Sequence, residues 1–293
     1  MHYYIYLLFF TISFSQISNY LVVNTQATGM AGAVVAEEGN SWSLFFNPAG
    51  ISEIENSFIS IEGSKLYSYN WLSYYNINGY FSLPVLGKVG LSFQQLETKY
   101  NKITLSSEET VSIGQAFNLQ KDRNSHLAFG YTANFIQWNL SKSAGPSGDG
   151  SDGIALGNIH AFTIDFGILA SLRNKYRFGA FVKNINSGSL GKGITQQTLP
   201  KIINVGITYL PTAGLSTSIV SERLIGEKDL NLKGSIKYIL NPFIKIYIGA
   251  QTKPNRFGIG TEITSSNNQS ISYSIITHPI LPITHQLSIK ITL

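Results

Sequence analysis

Leu287, Ile289, Ile291 and Leu293 are apolar, and Ser288, Lys290 and Thr292 between them are polar. Successive side chains of a strand point to opposite faces, so this segment has one greasy face and one wet face. The same two-residue alternation predicts fourteen strands, over 57–65, 73–83, 87–97, 108–118, 126–138, 159–171, 175–185, 201–210, 215–223, 230–240, 243–252, 256–264, 269–277 and 285–293. In 230–240, Leu230, Leu232, Ile236, Tyr238 and Leu240 share one face, while Asn231, Lys233, Ser235 and Lys237 share the other. In 159–171, Phe162, Ile164, Phe166 and Ile168 oppose Thr163, Asp165 and Gly167.

The connections alternate in length. Short ones are expected at Pro84–Leu86, Gln120–Ser125, Arg173-Asn174, Pro211–Gly214, Asn241-Pro242 and Ser265–Asn268. Longer ones are expected at Thr98–Ser107, Asn139–Asn158, Asn186–Pro200 and Thr277–Thr284. Amphipathic strands in even number, with short turns on one side and long loops on the other, describe an antiparallel transmembrane β-barrel. In hydrocarbon no water satisfies an open edge, so the sheet must close. The polar positions are also too many for the dry core of a sandwich. The sequence thus predicts an all-β fold, a transmembrane antiparallel barrel of about fourteen strands over 57–293, in the outer membrane of a Gram-negative-type bacterium.

Composition agrees. Charged residues are 13% of the chain, about half the share usual in soluble domains. There are 16 Tyr, 17 Phe and 27 Gly, which suit a lipid-facing barrel. The net charge of +5 is modest and the basic residues are scattered, so no nucleic-acid footprint is present. Cysteine is absent. The apolar run Tyr3–Phe14, followed by Ser13-x-Ser15, reads as a secretory signal over residues 1–15.

Residues 16–56 do not alternate. This stretch holds Gly29-Met30-Ala31-Gly32-Ala33, the acidic pair Glu37-Glu38, and Phe45-Phe46-Asn47-Pro48-Ala49-Gly50. Asn40 or Ser41 is placed to cap a short helix over Trp42–Phe46, stopped by Asn47-Pro48. Small residues let backbone approach backbone, so the stretch reads as a compact segment packed against or inside the barrel.

The two motifs just quoted resemble the N-terminal signature of the FadL/PorV-like outer-membrane barrels. Ala180-Phe181-Val182-Lys183-Asn184, Leu199-Pro200, Val205–Tyr209, Arg256–Gly260 and Thr277-His278-Pro279 resemble the second half of PorV/PorQ-family proteins. The resemblance implies fourteen strands with the N-terminal signature as a plug. It also implies one of two roles. The first is passive transport of small hydrophobic or amphipathic compounds. The second is a non-transporting place in a type IX protein secretion or surface-attachment assembly. Expected partners are outer-membrane lipid and either a small hydrophobic ligand or secretion-apparatus proteins.

Gly29, Met30, Gly32, Phe46, Asn47, Pro48 and Gly50 are the expected plug residues, read as a hatch or as a fixed structural filling. Lys88, Asp165, Arg177, Lys233, Lys237 and Glu262 fall on polar strand faces and are expected to face the lumen. More base than acid there favours anionic groups, unless the charges pair among themselves or bond the plug. Tyr67, Tyr69, Trp71, Tyr74 and Tyr75 read as an interfacial aromatic girdle. Asp149–Gly153 lacks a full calcium ligand set, and His278 and His285 have no carboxylate close in sequence. No nucleophile, zinc or phosphate-loop motif occurs, so neither an enzyme nor a cofactor is expected.

Overall fold

The computed structural model describes residues 24–100, 103–143, 146, 152–191 and 196–293. The expected signal at 1–15 therefore lies outside the described residues, as do the first part of the plug stretch and residues 149–151 of the acidic loop.

The strands are β1 (Phe58–Lys65), β2 (Leu72–Leu83), β3 (Gly87–Tyr100), β4 (Ile103–Lys121), β5 (Ser125–Lys142), β6 (Ala155–Leu172) and β7 (Tyr176–Lys183). A small hairpin, β8 (Ser189–Leu190) and β9 (Gln197–Thr198), follows. The rest are β10 (Ile202–Thr212), β11 (Leu215–Leu224), β12 (Leu230–Asn241), β13 (Ile244–Thr252), β14 (Asn255–Thr264), β15 (Gln269–Ile276) and β16 (Thr284–Thr292). Among the described residues, fourteen of these form one closed antiparallel barrel, with each strand beside its sequence neighbours and β7 beside β10. The seam is β1 on β16, paired from Phe58 with Thr292 to Lys65 with His285. No edge is left in the barrel wall, which is what hydrocarbon demands.

The side-chain alternation is inside-out relative to a soluble protein. Ile61, Ile77, Ile113, Leu232, Ile248 and Ile289 point outward and keep about half their surface open. Ser60, Asn76, Ser112, Lys233, Gln251 and Ser288 point inward and are buried. Large apolar side chains covering a whole outer wall are stable only against lipid. An apolar band on strands tilted as in closed barrels spans about 25 Å of hydrocarbon.

The wall is uneven in height. β3 to β6 are the longest strands; the expected loop at 98–107 is mostly strand, and strand also takes both ends of the one at 139–158. Thr98–Tyr100 and Ile103–Ser107 continue the β3–β4 ladder, and Asn139–Lys142 and Ala155–Asn158 continue β5–β6. On their outer face the apolar rows are interrupted at one register. Gln95 pairs with Glu109, Glu109 with Gln137 and Gln137 with His160. Beyond that polar row the four strands continue on the long-loop side, with Leu105 and Leu156 exposed among polar residues.

Candidate functional site: the plugged lumen

The segment from Asn24 to Asn56 sits inside the cylinder and runs around its inner wall. Helix α1 (Thr25–Gly29) lies on β13 to β16. Asn24 caps it by accepting from Ala27 N–H at 3.0 Å. The chain then turns at Ala31 and Gly32, both in left-handed backbone with Gly32 at φ 76°. Val35 reaches the wall at Gly179 and Gly206 of β7 and β10. Helix α2 (Ser43–Phe46) follows, starting one residue later than the sequence suggests, because Asn40 and Ser41 form a turn closed by Asn40 N–H to Ser43 Oγ at 3.0 Å. Asn47 is extended and ends α2, and Pro48 opens a 3-10 turn to Glu53 against β3 to β6.

Four small apolar clusters fix this segment: Leu44, Ile51, Ile54 with Phe58 and Tyr80; Met30, Val34, Trp42 with Tyr247; Ala33, Val35 with Phe181 and Val220; and Ala49 with Ala128 and Leu169. Each fully buried large apolar side chain contributes about 1.5–3 kcal/mol. The barrel's apolar core is thus the plug itself.

Polar groups on the inner wall are satisfied by the plug. Asn24 Nδ2 donates to Glu62 at 2.6 Å, and Gln26 Nε2 donates to Glu262 at 2.9 Å and to Ser272 at 3.0 Å. Thr28 bonds Gln286. Tyr80 donates to the Ser41 carbonyl at 3.0 Å. Asn47 Nδ2 donates to the carbonyls of Val35 at 2.8 Å and Ile168 at 3.0 Å, tying two plug segments to the wall.

Glycines make room for it. A Cβ on Gly167 would lie 2.1 Å from Asn47 Oδ1, and one on Gly130 would lie 2.4 Å from the Ala49 nitrogen. A Cβ on Gly179 would meet the Val35 carbonyl at 2.2 Å, on Gly249 the Met30 carbonyl carbon at 2.2 Å, and on Gly258 the Thr28 carbonyl at 2.3 Å. These residues occupy inward positions that the sequence marks only as polar or small. The glycine belt is the feature that sequence reasoning missed.

The inward charges are mostly paired. Lys237 Nζ meets Glu37 at 2.7 Å and Glu38 at 2.8 Å, with Arg177 at 3.6 Å from Glu38. Lys233 pairs with Glu222 at 2.7 Å, and Lys245 with Glu262 at 2.7 Å. Asp165 accepts from Asn134 at 2.8 Å and from the Asn184 N–H at 2.7 Å. Lys88 donates to the Ser52 carbonyl at 2.8 Å. Glu38, on the plug, titrates at about 2: Lys237 holds its carboxyl down, burial opposes this, and Arg177 assists. The plug residues Gly29, Met30, Gly32, Phe46, Asn47, Pro48 and Gly50 all lie in the lumen; the first three face β12 to β14, and Asn47 and Pro48 face β5 and β6.

The girdle residues divide. Trp71 and Tyr75 are exposed, and Tyr69 stacks on Trp71 with ring centroids 5.0 Å apart. Tyr74 instead points inward and is buried, because it is one residue out of phase with Tyr75. His278 and His285 do not converge. His278 accepts from the backbone at Ile280 and Leu281, and His285 bonds Tyr273 at 2.7 Å. No metal-ligating cluster occurs among the described residues.

The plug divides the lumen into two cavities. The one towards the long loops, about 130 Å³, has a floor of Leu44, Phe45 and Phe46. Its walls combine apolar Ile136, Phe181, Leu199 and Ile202 with charged Asp165, Glu222 and Lys233. The β8–β9 hairpin roofs one side, with Leu190 and Leu199 packed on Ile136 and Ala161. The second cavity, about 620 Å³, opens among the short turns.

No family model and no curated protein matches this sequence. Solved structures do match. The monoaromatic hydrocarbon channel CymD has a TM-score of 0.65 at 10% identity, covering 92% of this chain and 97% of its own. The toluene transporter TbuX of Ralstonia pickettii has 0.61 at 12% identity, covering 92% and 98%. A Pseudomonas aeruginosa FadL homologue has 0.52 at 10% identity, covering 91% and 97%. The fold is that of the FadL-like barrels. At these identities the likeness concerns the path of the chain, and the chemistry of the FadL-like lumen has to be read from its own residues.

Proposed function

We propose that this chain is an outer-membrane barrel that passively admits small hydrophobic or amphipathic compounds past its plug. The observation that carries this reading is the apolar floor of Leu44, Phe45 and Phe46, which the plug presents to the long-loop side. A cavity of about 150 Å³ lined by apolar side chains suffices for a single aromatic ring. The charged groups on the opposite wall suit a polar end. Two structures of similar fold are described as a toluene transporter and a monoaromatic hydrocarbon channel, which supports the same class of cargo. The residues act by packing and hydrogen bonding, so the reading includes no catalytic role.

The test is uptake of radiolabelled toluene by a Gram-negative host that lacks its own hydrocarbon channel. Expression of the chain should raise the uptake rate. Phe46→Asp places a charge on the apolar floor, where burial is costly, and should lower the rate about tenfold. Unchanged uptake in that variant, with heat-modifiable gel mobility showing an assembled barrel, counts against this route.

A second reading places the chain with PorV/PorQ-type barrels in a type IX secretion or surface-attachment assembly. The tall β3–β6 wall supports it, since strands longer than their neighbours, with Leu105 and Leu156 exposed, offer a surface to a protein partner. Crosslinking from Glu97 or Asn139 in the native host should then capture a secreted protein. Recovery of the barrel alone rejects this reading.

A further inference from the structure

The cavity among the short turns differs in charge from the rest of the lumen. Lys88 of β3, Lys121 of β4, Arg177 of β7, Lys245 of β13 and Lys290 of β16 line it from around the ring. Three carboxylates, Glu38, Glu53 and Glu55, face the same space, with His126. Two of the three are committed. Glu38 is held by Lys237, and Glu53 accepts from the Gly39 N–H at 2.9 Å and stands 3.0 Å from His126 Nε2.

The cations are less well answered. Among the described residues Lys121 has no ion pair, and Lys88 has only the Ser52 carbonyl. Lys290 is largely buried, yet its nearest carboxylate is Glu262 at 3.9 Å, which Lys245 already engages at 2.7 Å. Its other neighbours are Asn40 Oδ1 at 3.4 Å and the face of Phe58 at 5.5 Å. Arg177 Nη1 is buried without a hydrogen bond, its nearest carboxylate being Glu38 at 3.6 Å, which Lys237 already engages. A concave, low-dielectric cavity focuses such unanswered charge, and rings of Lys and Arg are the device by which pores hold anions.

We propose that this vestibule is a binding site for a multiply charged oxyanion of the phosphate class. Cations from separate strands converge on one space, so an anion with several charged oxygens can meet more than one of them. A monovalent ion can answer only one. The cavity of about 620 Å³ leaves room for a ligand larger than one inorganic ion. The site lies on the opposite side of the plug from the apolar floor, and its test does not depend on the hydrophobic route.

The experiment is titration calorimetry of the full chain in nanodiscs, with inorganic pyrophosphate as the probe and ionic strength held constant with sodium chloride. Saturable binding is expected. Lys121→Gln, at the exposed rim, and Lys290→Gln, inside, should each raise Kd about tenfold, the value of one charge-assisted contact. Lys65→Gln, exposed at the long-loop end of β1 on the far side of the plug, should leave Kd unchanged. Lys121→Gln keeps the test decisive if Lys290→Gln fails to assemble. Discs of neutral lipid and of phosphatidylglycerol separate the two sources of such a group. Equal Kd in both points to a soluble oxyanion, and binding weakened only in phosphatidylglycerol shows a lipid phosphate competing for the same cations. Absence of saturable binding, equal displacement by chloride, or unchanged Kd in both lysine variants overturns the proposal.

Discussion

Lys237 brings a charge into the lumen that two successive plug carboxylates answer, and both Lys237 and Glu37 are almost fully enclosed. Removing one partner of a buried pair leaves the other uncompensated, at about 3 kcal/mol or more. Lys237→Met should therefore loosen the plug, seen as faster hydrogen exchange over Val34–Glu38 with the barrel still resistant to heat in gels. Acid should act on the same latch. Glu38 titrates at about 2, below its ordinary 4.5, so its contribution is complete above about pH 4.5 and fades as pH falls towards 2. Protease cleavage within Val34–Asn40 should rise over that window and stay flat between pH 5 and 8. The inward position of Lys237 was legible from the alternation of β12. Its partner was not, because Glu37 lies 200 positions earlier and no local pattern links the two.

At the scale of elements, the period of two located the strands where one face meets lipid and failed where both faces are wet. Thr98, Lys99 and Tyr100 read as loop, yet they are strand, because the backbone ladder continues there without a strict alternation of polar and apolar side chains. A register shift between Thr98 and Lys99 breaks the alternation at the same place. The glycines of β5, β6, β7, β13 and β14 were visible as letters but not as a seat, since what they avoid is a segment distant in sequence. Gly167→Val tests that seat. The added side chain collides with Asn47 and Pro48, so the plug should be displaced from β6 while the outward faces still direct assembly. Single-channel conductance in planar bilayers should rise well above the wild-type level. Unchanged conductance in an assembled barrel would show that the wall yields instead of the plug.

For the molecule as a whole, the closed wall and its apolar band followed from the repeated alternation, while the two-chambered interior did not. The plug motifs were recognisable as compact and glycine-rich, but their circuit of the inner wall depends on pairings with strands at both ends of the chain. Helix α1 is among the first described residues, yet its bonding partners are Glu262, Ser272 and Gln286, close to the last. Those partners do not exist as a surface until β14, β15 and β16 have been laid down. The contents of the cylinder thus lack their complete seat until the last three strands are in place. The β1–β16 join that closes the wall is therefore also what completes the seat of its contents, bringing both ends of the chain to one place.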